Sequence, residues 1–235
     1  MLSGSIRLFV DVPLAAGAEI AATPAQAHYL GTVMRRAAGE RLRLFNGRDG
    51  EWLGEIAAIR RDRATLHIVL HIRPQSPEPD LWLLFAPLKR DATDMVVQKA
   101  TELGASRLLP VLTERTQTAR LNLDRLRAIA TEAAEQCERL TVPAIDPPMR
   151  LMDCLMDWRE RPVIVAMERI TAPEPPPLTE PAALLVGPEG GFSPAELAWL
   201  NSLPFVVPAS LGPLVLRAET AAIVGLALLG RTGCG

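Results

Sequence analysis

Two segments in the last quarter of the 235-residue chain carry the residue types best suited to chemistry. The first reads Leu184-Leu-Val-Gly-Pro-Glu-Gly-Gly-Phe-Ser-Pro-Ala-Glu196. An apolar run enters a glycine-rich loop, and a helix leaves it. Gly187, Gly190 and Gly191 let main-chain amides come close to a ligand. Ser193, Pro194 and Glu196 specify the helix start as cap, first helical residue and capping-box partner. A tight turn with a good cap would use the same residues. The second segment is Ser210-Leu-Gly-Pro-Leu-Val-Leu-Arg-Ala-Glu-Thr-Ala221. Arg217, Glu219 and Thr220 are the polar side chains ahead of an apolar helix. An arginine fork can stabilise charge spread over two oxygens. Glu189 and Glu219 are carboxylates able to accept a proton. The structural alternative is a first-turn Arg217–Glu219 ion pair.

Other chemistries lack their residues. No Gly-Lys-Ser/Thr follows the glycine loop, and no G-x-G-x-x-G occurs there, so neither nucleotide fingerprint is present. That excludes the nicotinamide oxidoreductase reading. His28, His67 and His71 form no ligand cluster, and Cys137, Cys154 and Cys234 include no CxxC pair. No metal site and no disulfide framework are expected.

The elements that must position these loops fall into two parts. Arg73-Pro-Gln-Ser-Pro-Glu-Pro-Asp80 is stiff and polar and reads as a linker over 74–80. Before it, β-like runs occupy Ile6–Val10, Arg41–Phe45, Glu55–Ile59 and Thr65–Ile72, with turn signals at Asn46-Gly47 and Asp49-Gly50. One helical segment, Pro24–Arg35, interrupts them. Residues 1–73 are therefore expected to form a small β-barrel. After the linker, strands alternate with helices. The strands are Leu81–Pro87, Arg107–Leu112, Pro162–Met167, Ala183–Val186 and Phe205–Val207. The helices are Asp91–Leu103, Leu123–Leu140, Pro194–Leu203 and Ala218–Leu229, with a proline-rich loop over 173–181. Alternation of this kind predicts an α/β domain with a parallel sheet over 81–235. The Ala221–Leu229 stretch is apolar all round, so it must be covered on every side, and a subunit seam would do that.

Composition sets the bounds. At 49% hydrophobic and 22% charged, the chain is globular rather than disordered. Its longest apolar runs, Leu81–Leu88 and Ala221–Leu229, are too short to cross a membrane, and no secretory signal is readable, so a cytoplasmic location is expected. Residues 1–73 hold ten arginines against seven acidic residues, +3, whereas 74–235 hold fifteen basic against twenty acidic, −5. The basic half comes first, a weak footprint for a polyanionic partner.

The two C-terminal segments together resemble the signature of the SPOUT class of trefoil-knot methyltransferases. Within that class they are similar to the family that methylates N3 of a uridine in 16S ribosomal RNA. Lys99-Ala-Thr-Glu-Leu-Gly104, Thr113-Glu-Arg-Thr116 and Glu132-Ala-Ala-Glu-Gln-Cys-Glu-Arg139 match further segments of that family. So does His28-Tyr-Leu-Gly-Thr-Val-Met-Arg35 in the first part. The family often has arginine where this chain has Leu214.

The resemblance implies a PUA-like β-barrel that binds RNA, followed by a knotted α/β domain that dimerises. It implies S-adenosylmethionine as cofactor, held by Met167 and the loop after it, by Gly187, Pro188, Gly190 and Gly191, and by Leu211, Gly212 and Leu216. Arg217 would stabilise charge developing on the uracil oxygens. Glu189 and Glu219 are the candidates to take the N3 proton. Arg7, Arg35, Arg36, Lys89 and Arg90 are the expected phosphate contacts, which position RNA without reading it. His28 is expected to be structural. The expected partner is 16S rRNA, free or within the assembled small subunit. The rival is a non-catalytic RNA-binding assembly factor that keeps the fold.

Overall fold

The computed structural model describes residues 6–118, 120–159, 161–167 and 181–230. These group into two compact units. One holds the N-terminal residues through Pro77 together with Ala134–Val142; the other holds the rest. Residues 134–142, placed by the sequence reading in the second domain, thus cluster with the first unit.

The first unit is a five-stranded sheet in the order β1-β3-β4-β5-β2. Its strands are β1 (Arg7–Phe9), β2 (Glu19–Ala21), β3 (Arg41–Phe45), β4 (Glu51–Arg60) and β5 (Arg63–Arg73). β1 pairs parallel with β3, and the other pairings are antiparallel. Register shifts along β4–β5 mark bulges, which increase local twist. Alternating residues close a core that includes Leu42, Leu44, Ile56, Leu66 and Ile68. β2 was not expected, because three residues give too short a pattern to read. The helical segment also differs. α1 (Pro24–His28) starts on a Thr23 capping box and passes into a π-helical turn, Tyr29–Val33. Arg35 then takes a left-handed φ of 51°.

This unit corrects one site assignment. Arg7 is only 5% exposed. Its Nε donates to Glu51 at 2.6 Å, Nη1 donates to the carbonyls of Ala134 and Glu135 at 2.8 and 3.0 Å, and Nη2 donates to that of Arg139 at 2.9 Å. Its guanidinium also lies over the Phe45 ring. Arg7 is a buried structural cation and has no free edge for a phosphate.

The second unit is a parallel sheet in the order β12-β10-β11-β6-β7-β8, with β9 pairing β7. Its strands are β6 (Leu81–Phe85), β7 (Arg107–Leu112), β8 (Ala144–Ile145), β9 (Met149–Arg150), β10 (Val163–Ala166), β11 (Ala182–Val186) and β12 (Val206–Ala209). The helices are α2 (Arg90–Glu102), α3 (Leu123–Gln136), α4 (Leu151–Leu155), α5 (Pro194–Ser202) and α6 (Ala218–Leu229). Every residue of β6 and β11 is buried, as expected of central parallel strands covered on both faces. β11 comes later in the chain than β10 yet lies between β10 and β6. α6 returns to pack against α2, β6 and β11. The helix expected over Leu123–Leu140 stops at Gln136, and β8, β9 and α4 were not foreseen. The expected proline-rich loop lies, except for Pro181, outside the described residues.

The amino ends of β6 and β10 are tied by charge. Asp80 Oδ1 accepts from Arg161 Nη1 at 2.7 Å and from Trp82 Nε1 at 2.9 Å. Arg161 also lies 3.6 Å from the Trp82 ring centroid. The Arg161 hydrogen bond is the main reason the Asp80 carboxyl is held below the usual aspartate range. A lowered folded pKa stabilises the fold above the ordinary aspartate value, and that contribution is lost as pH falls through the folded value. Asp80→Asn should therefore be less stable than the parent at pH 7, with the gap narrowing from about pH 4 downward. Urea midpoints at pH 7 and pH 3 check this; an equal gap at both would overturn it. Asp80 is half-exposed, so solvent screening keeps the effect small.

Candidate active site

β12, β10 and β11 are parallel neighbours, so the loops after them leave the same end of the sheet. Ligands of open α/β sheets bind at that end. Two of the loops predicted to hold a cofactor, those after β11 and β12, start from that end, and so does the segment that Met167 opens. Met167 ends the β10 segment, buried, with its amide on the Ala209 carbonyl. The loop beyond it, from residue 168, lies outside the described residues.

After β11 comes the glycine loop. The Gly191 amide closes a turn onto the Pro188 carbonyl at 2.8 Å. A Cβ on Gly187 would sit 3.0 Å from two atoms of the Phe192 ring, so any larger residue would press the ring aside by a few tenths of an ångström. Pro188 is buried, whereas Glu189 and Gly190 are exposed. Ser193 and Glu196 form the expected capping box. Glu196 does more than cap. It is 7% exposed, and while Oε2 accepts from Ser193 N, Oε1 accepts from Glu114 N, both at 2.8 Å. Arg115 from the same segment donates to the Gly190 carbonyl at 2.7 Å. Thr113 and Thr116 close that segment on itself through their hydroxyls. The 113–116 residues thus brace the glycine loop. Sequence reasoning missed Arg115 and the second role of Glu196, since both act on residues more than seventy positions away.

After β12 the chain runs through Leu211, Gly212 and Leu216 to α6. Gly212 has a φ of 126°, a backbone state closed to other residues. Leu214 and Val215 are 78% and 55% exposed. Arg217 is the N-cap residue of α6; its carbonyl accepts from Ala221 N at 2.8 Å, while its exposed side chain has no hydrogen bond or ion pair among the described residues. The first-turn pair with Glu219 does not form. Glu219 instead has one carboxylate oxygen, Oε2, buried without a partner among the described residues. A buried carboxylate oxygen left open in this way is costly unless a ligand meets it.

The other candidates lie at the start of α2 and in the first unit. Lys89 and Arg90 are exposed at the start of α2, after β6, where Thr93 pins the loop through Leu88. In the first unit, Arg35 is exposed, Arg36 pairs with Glu40 at 3.0 Å, and His28 is exposed rather than packed. Among the described residues no three His, Cys, Asp or Glu side chains converge on a common point. No described helix is long and apolar enough to cross a membrane.

Comparison with known proteins agrees with this layout. Residues 22–69 match a family model described as an RNA methyltransferase PUA domain, and residues 74–230 match an RNA methyltransferase domain. The ribosomal RNA small subunit methyltransferase E of Rickettsia conorii is 33% identical over 94% of this chain and 93% of its own. The protein of the same name from Synechocystis is 31% identical over 94% of this chain and 76% of its own. A Legionella pneumophila putative methyltransferase, solved with S-adenosylmethionine bound, superposes with a TM-score of 0.85 at 29% identity, covering 97% of both chains. The Neisseria gonorrhoeae ribosomal RNA small subunit methyltransferase E, solved with the same cofactor, gives 0.86 at 25% identity, covering 95% of both. A family model over residues 74–230, a second over 22–69, and relatives 31–33% identical along nearly the whole chain show that it belongs to the RNA methyltransferase family.

Proposed function

We propose that this protein methylates N3 of a uridine in 16S ribosomal RNA, using S-adenosylmethionine. The observation that carries the reading is a pair of loops leaving the same end of the sheet after β11 and β12, the strands on either side of β10: one is glycine-rich, and the other ends in an arginine whose side chain has no partner among the described residues. The relatives' names and the cofactor in two similar structures support it. The site residues fit that cofactor. Gly187, Pro188, Gly190, Gly191, Leu211, Gly212 and Leu216 would hold it together with Met167. The exposed Leu214 and Val215 offer apolar cover, and Glu219 Oε2 is an open acceptor. When bound, the cofactor supplies an electrophilic methyl group. The protein's own task is to make uracil N3 a nucleophile. Arg217 presents a permanent charge and donors to a carbonyl oxygen beside N3, where charge develops as the proton leaves, and leaves the N3 edge open to the methyl group. Glu219 takes the N3 proton; its buried open oxygen favours it over the exposed Glu189. Arg35, Lys89 and Arg90 are free to meet phosphates, and Arg36 keeps part of its guanidinium for the same use. A cytoplasmic location follows from this substrate.

The test is mass spectrometry of ribosomal RNA from cells lacking the protein. One 3-methyluridine should disappear from 16S rRNA. An unchanged set of modifications would overturn the reading and favour the non-catalytic assembly factor.

The protein is also proposed to be a homodimer. On α6, Ile223, Val224 and Leu228 are half-buried and Ala227 is exposed, so this apolar face is only partly covered by the described residues. Light scattering at micromolar concentration should give about twice the chain mass, since such apolar seams are usually obligate. A monomer with full cofactor affinity would contradict it.

A further inference from the structure

Arg115, Gln117 and Thr118 have no part in the reaction as described, yet with Lys89, Glu189 and Gly190 they line one open cleft. The cleft is built by the segments that follow β6, β7 and β11, three neighbouring parallel strands. It therefore lies at the carboxyl end of the sheet and takes in part of the glycine loop.

Its chemistry is cationic. Lys89 is exposed and has no partner among the described residues. Arg115 spends only Nη1, on the Gly190 carbonyl, leaving the rest of its fork open. Gln117 and Thr118 add neutral donors, and Glu189 is the single acid. Two cations from separate loops, with neutral donors beside them, suit one tetrahedral anion.

We propose that this cleft seats a phosphodiester of the RNA substrate, gripped by Lys89 Nζ and the open edge of Arg115. The proposal rests on the methylation reading above and adds a fixed point of attachment to it. Because the same guanidinium holds Gly190, a phosphate seated there would also tie the RNA to the glycine loop. Such a contact positions the substrate and carries no sequence information.

The test uses full-length Lys89→Gln, Arg115→Gln and Arg115→Lys, with Arg127→Gln, an exposed helix residue, as control. Methyl transfer from labelled S-adenosylmethionine to small ribosomal subunits lacking the modification is followed across salt concentration. Loss of one phosphate contact should flatten the slope of log rate against log salt by about 0.7–1. Lys89→Gln and Arg115→Gln should each show this, with second-order rates reduced roughly three- to tenfold near physiological salt. Arg115→Lys should keep the parental slope, as should Arg127→Gln. Calorimetry on Lys89→Gln should show unchanged cofactor affinity. Parental slopes in both glutamine variants, with the parent active, would overturn the phosphate seat and leave the methylation reading standing. So would an unchanged slope with weakened cofactor binding in Lys89→Gln, which would assign the cleft to the cofactor's carboxylate. A parent protein that neither binds the cofactor nor transfers methyl would overturn both readings.

Discussion

Arg217→Ala should cut single-turnover methylation by about 10²–10³, the usual loss when a donor aimed at developing oxyanion charge is removed. Uracil N3 lies between two carbonyls, so the departing proton leaves charge on both oxygens. A fork-shaped cation that keeps its charge at any working pH is suited to that anion. The structure adds a reason to expect a clean result. The Arg217 side chain is exposed and unpaired among the described residues and does not cap α6, so its removal breaks no structural contact. Cofactor affinity should change by less than about tenfold, or 1.4 kcal/mol, and the melting temperature should hold. Arg217→Lys should recover part of the rate, because an ammonium keeps the charge but not the fork. A near-parental rate in Arg217→Ala, or a defect consisting only of lost cofactor affinity, would show that the arginine does not act on the reacting base.

Arg7→Ala should destabilise the first unit by about 3–5 kcal/mol, as expected when one partner of a buried ion pair is removed. The pair with Glu51 is almost wholly buried, at 2% and 3% side-chain exposure. Arg43 and Arg73 approach the other Glu51 oxygen at 3.8 and 3.5 Å, which places the effect toward the lower end of that range. Arg7 also serves the carbonyls that α3 leaves open at its end, where a cation is favoured by the helix dipole. Hydrogen exchange resolved by peptide should show lost protection in β3 and β4. Arg7→Lys should rescue only part of it, since an ammonium cannot serve a carboxylate and three carbonyls in one plane. Intact protection combined with weaker RNA binding would return Arg7 to the surface role first read from its charge.

Local order in the chain was enough to place several of the elements that carry the candidate site. The capping box at Ser193 and Glu196, the apolar runs of β6 and β11, and α6 over Ala218–Leu229 all appear where periodicity and cap residues put them. The bounds of β3 and β7 agree to the residue. Such signals lie within one or two turns of the chain, so a linear reading captures them. The position of Arg217 at the start of α6 was legible for the same reason.

What sequence could not decide depends on where distant segments meet. Arg7 reads as one more surface arginine until β1 lies beside β3 and its guanidinium reaches Glu51, 44 residues away, and Ala134, 127 residues away. The 132–139 segment matched a family pattern, but its work became visible only in the fold. Glu135 accepts from Phe9 N at 2.9 Å, and Glu138 pairs with Arg43. α3 ends four residues early, and those residues join the first unit. Arg115 and Glu196 acquire their bracing roles because β7 and β11 lie on either side of β6 and bring their loops together. Chain composition fixes which residues are able to act. The path of the chain fixes which of them are already engaged, because a buried hydrogen bond consumes a donor that the sequence alone leaves free.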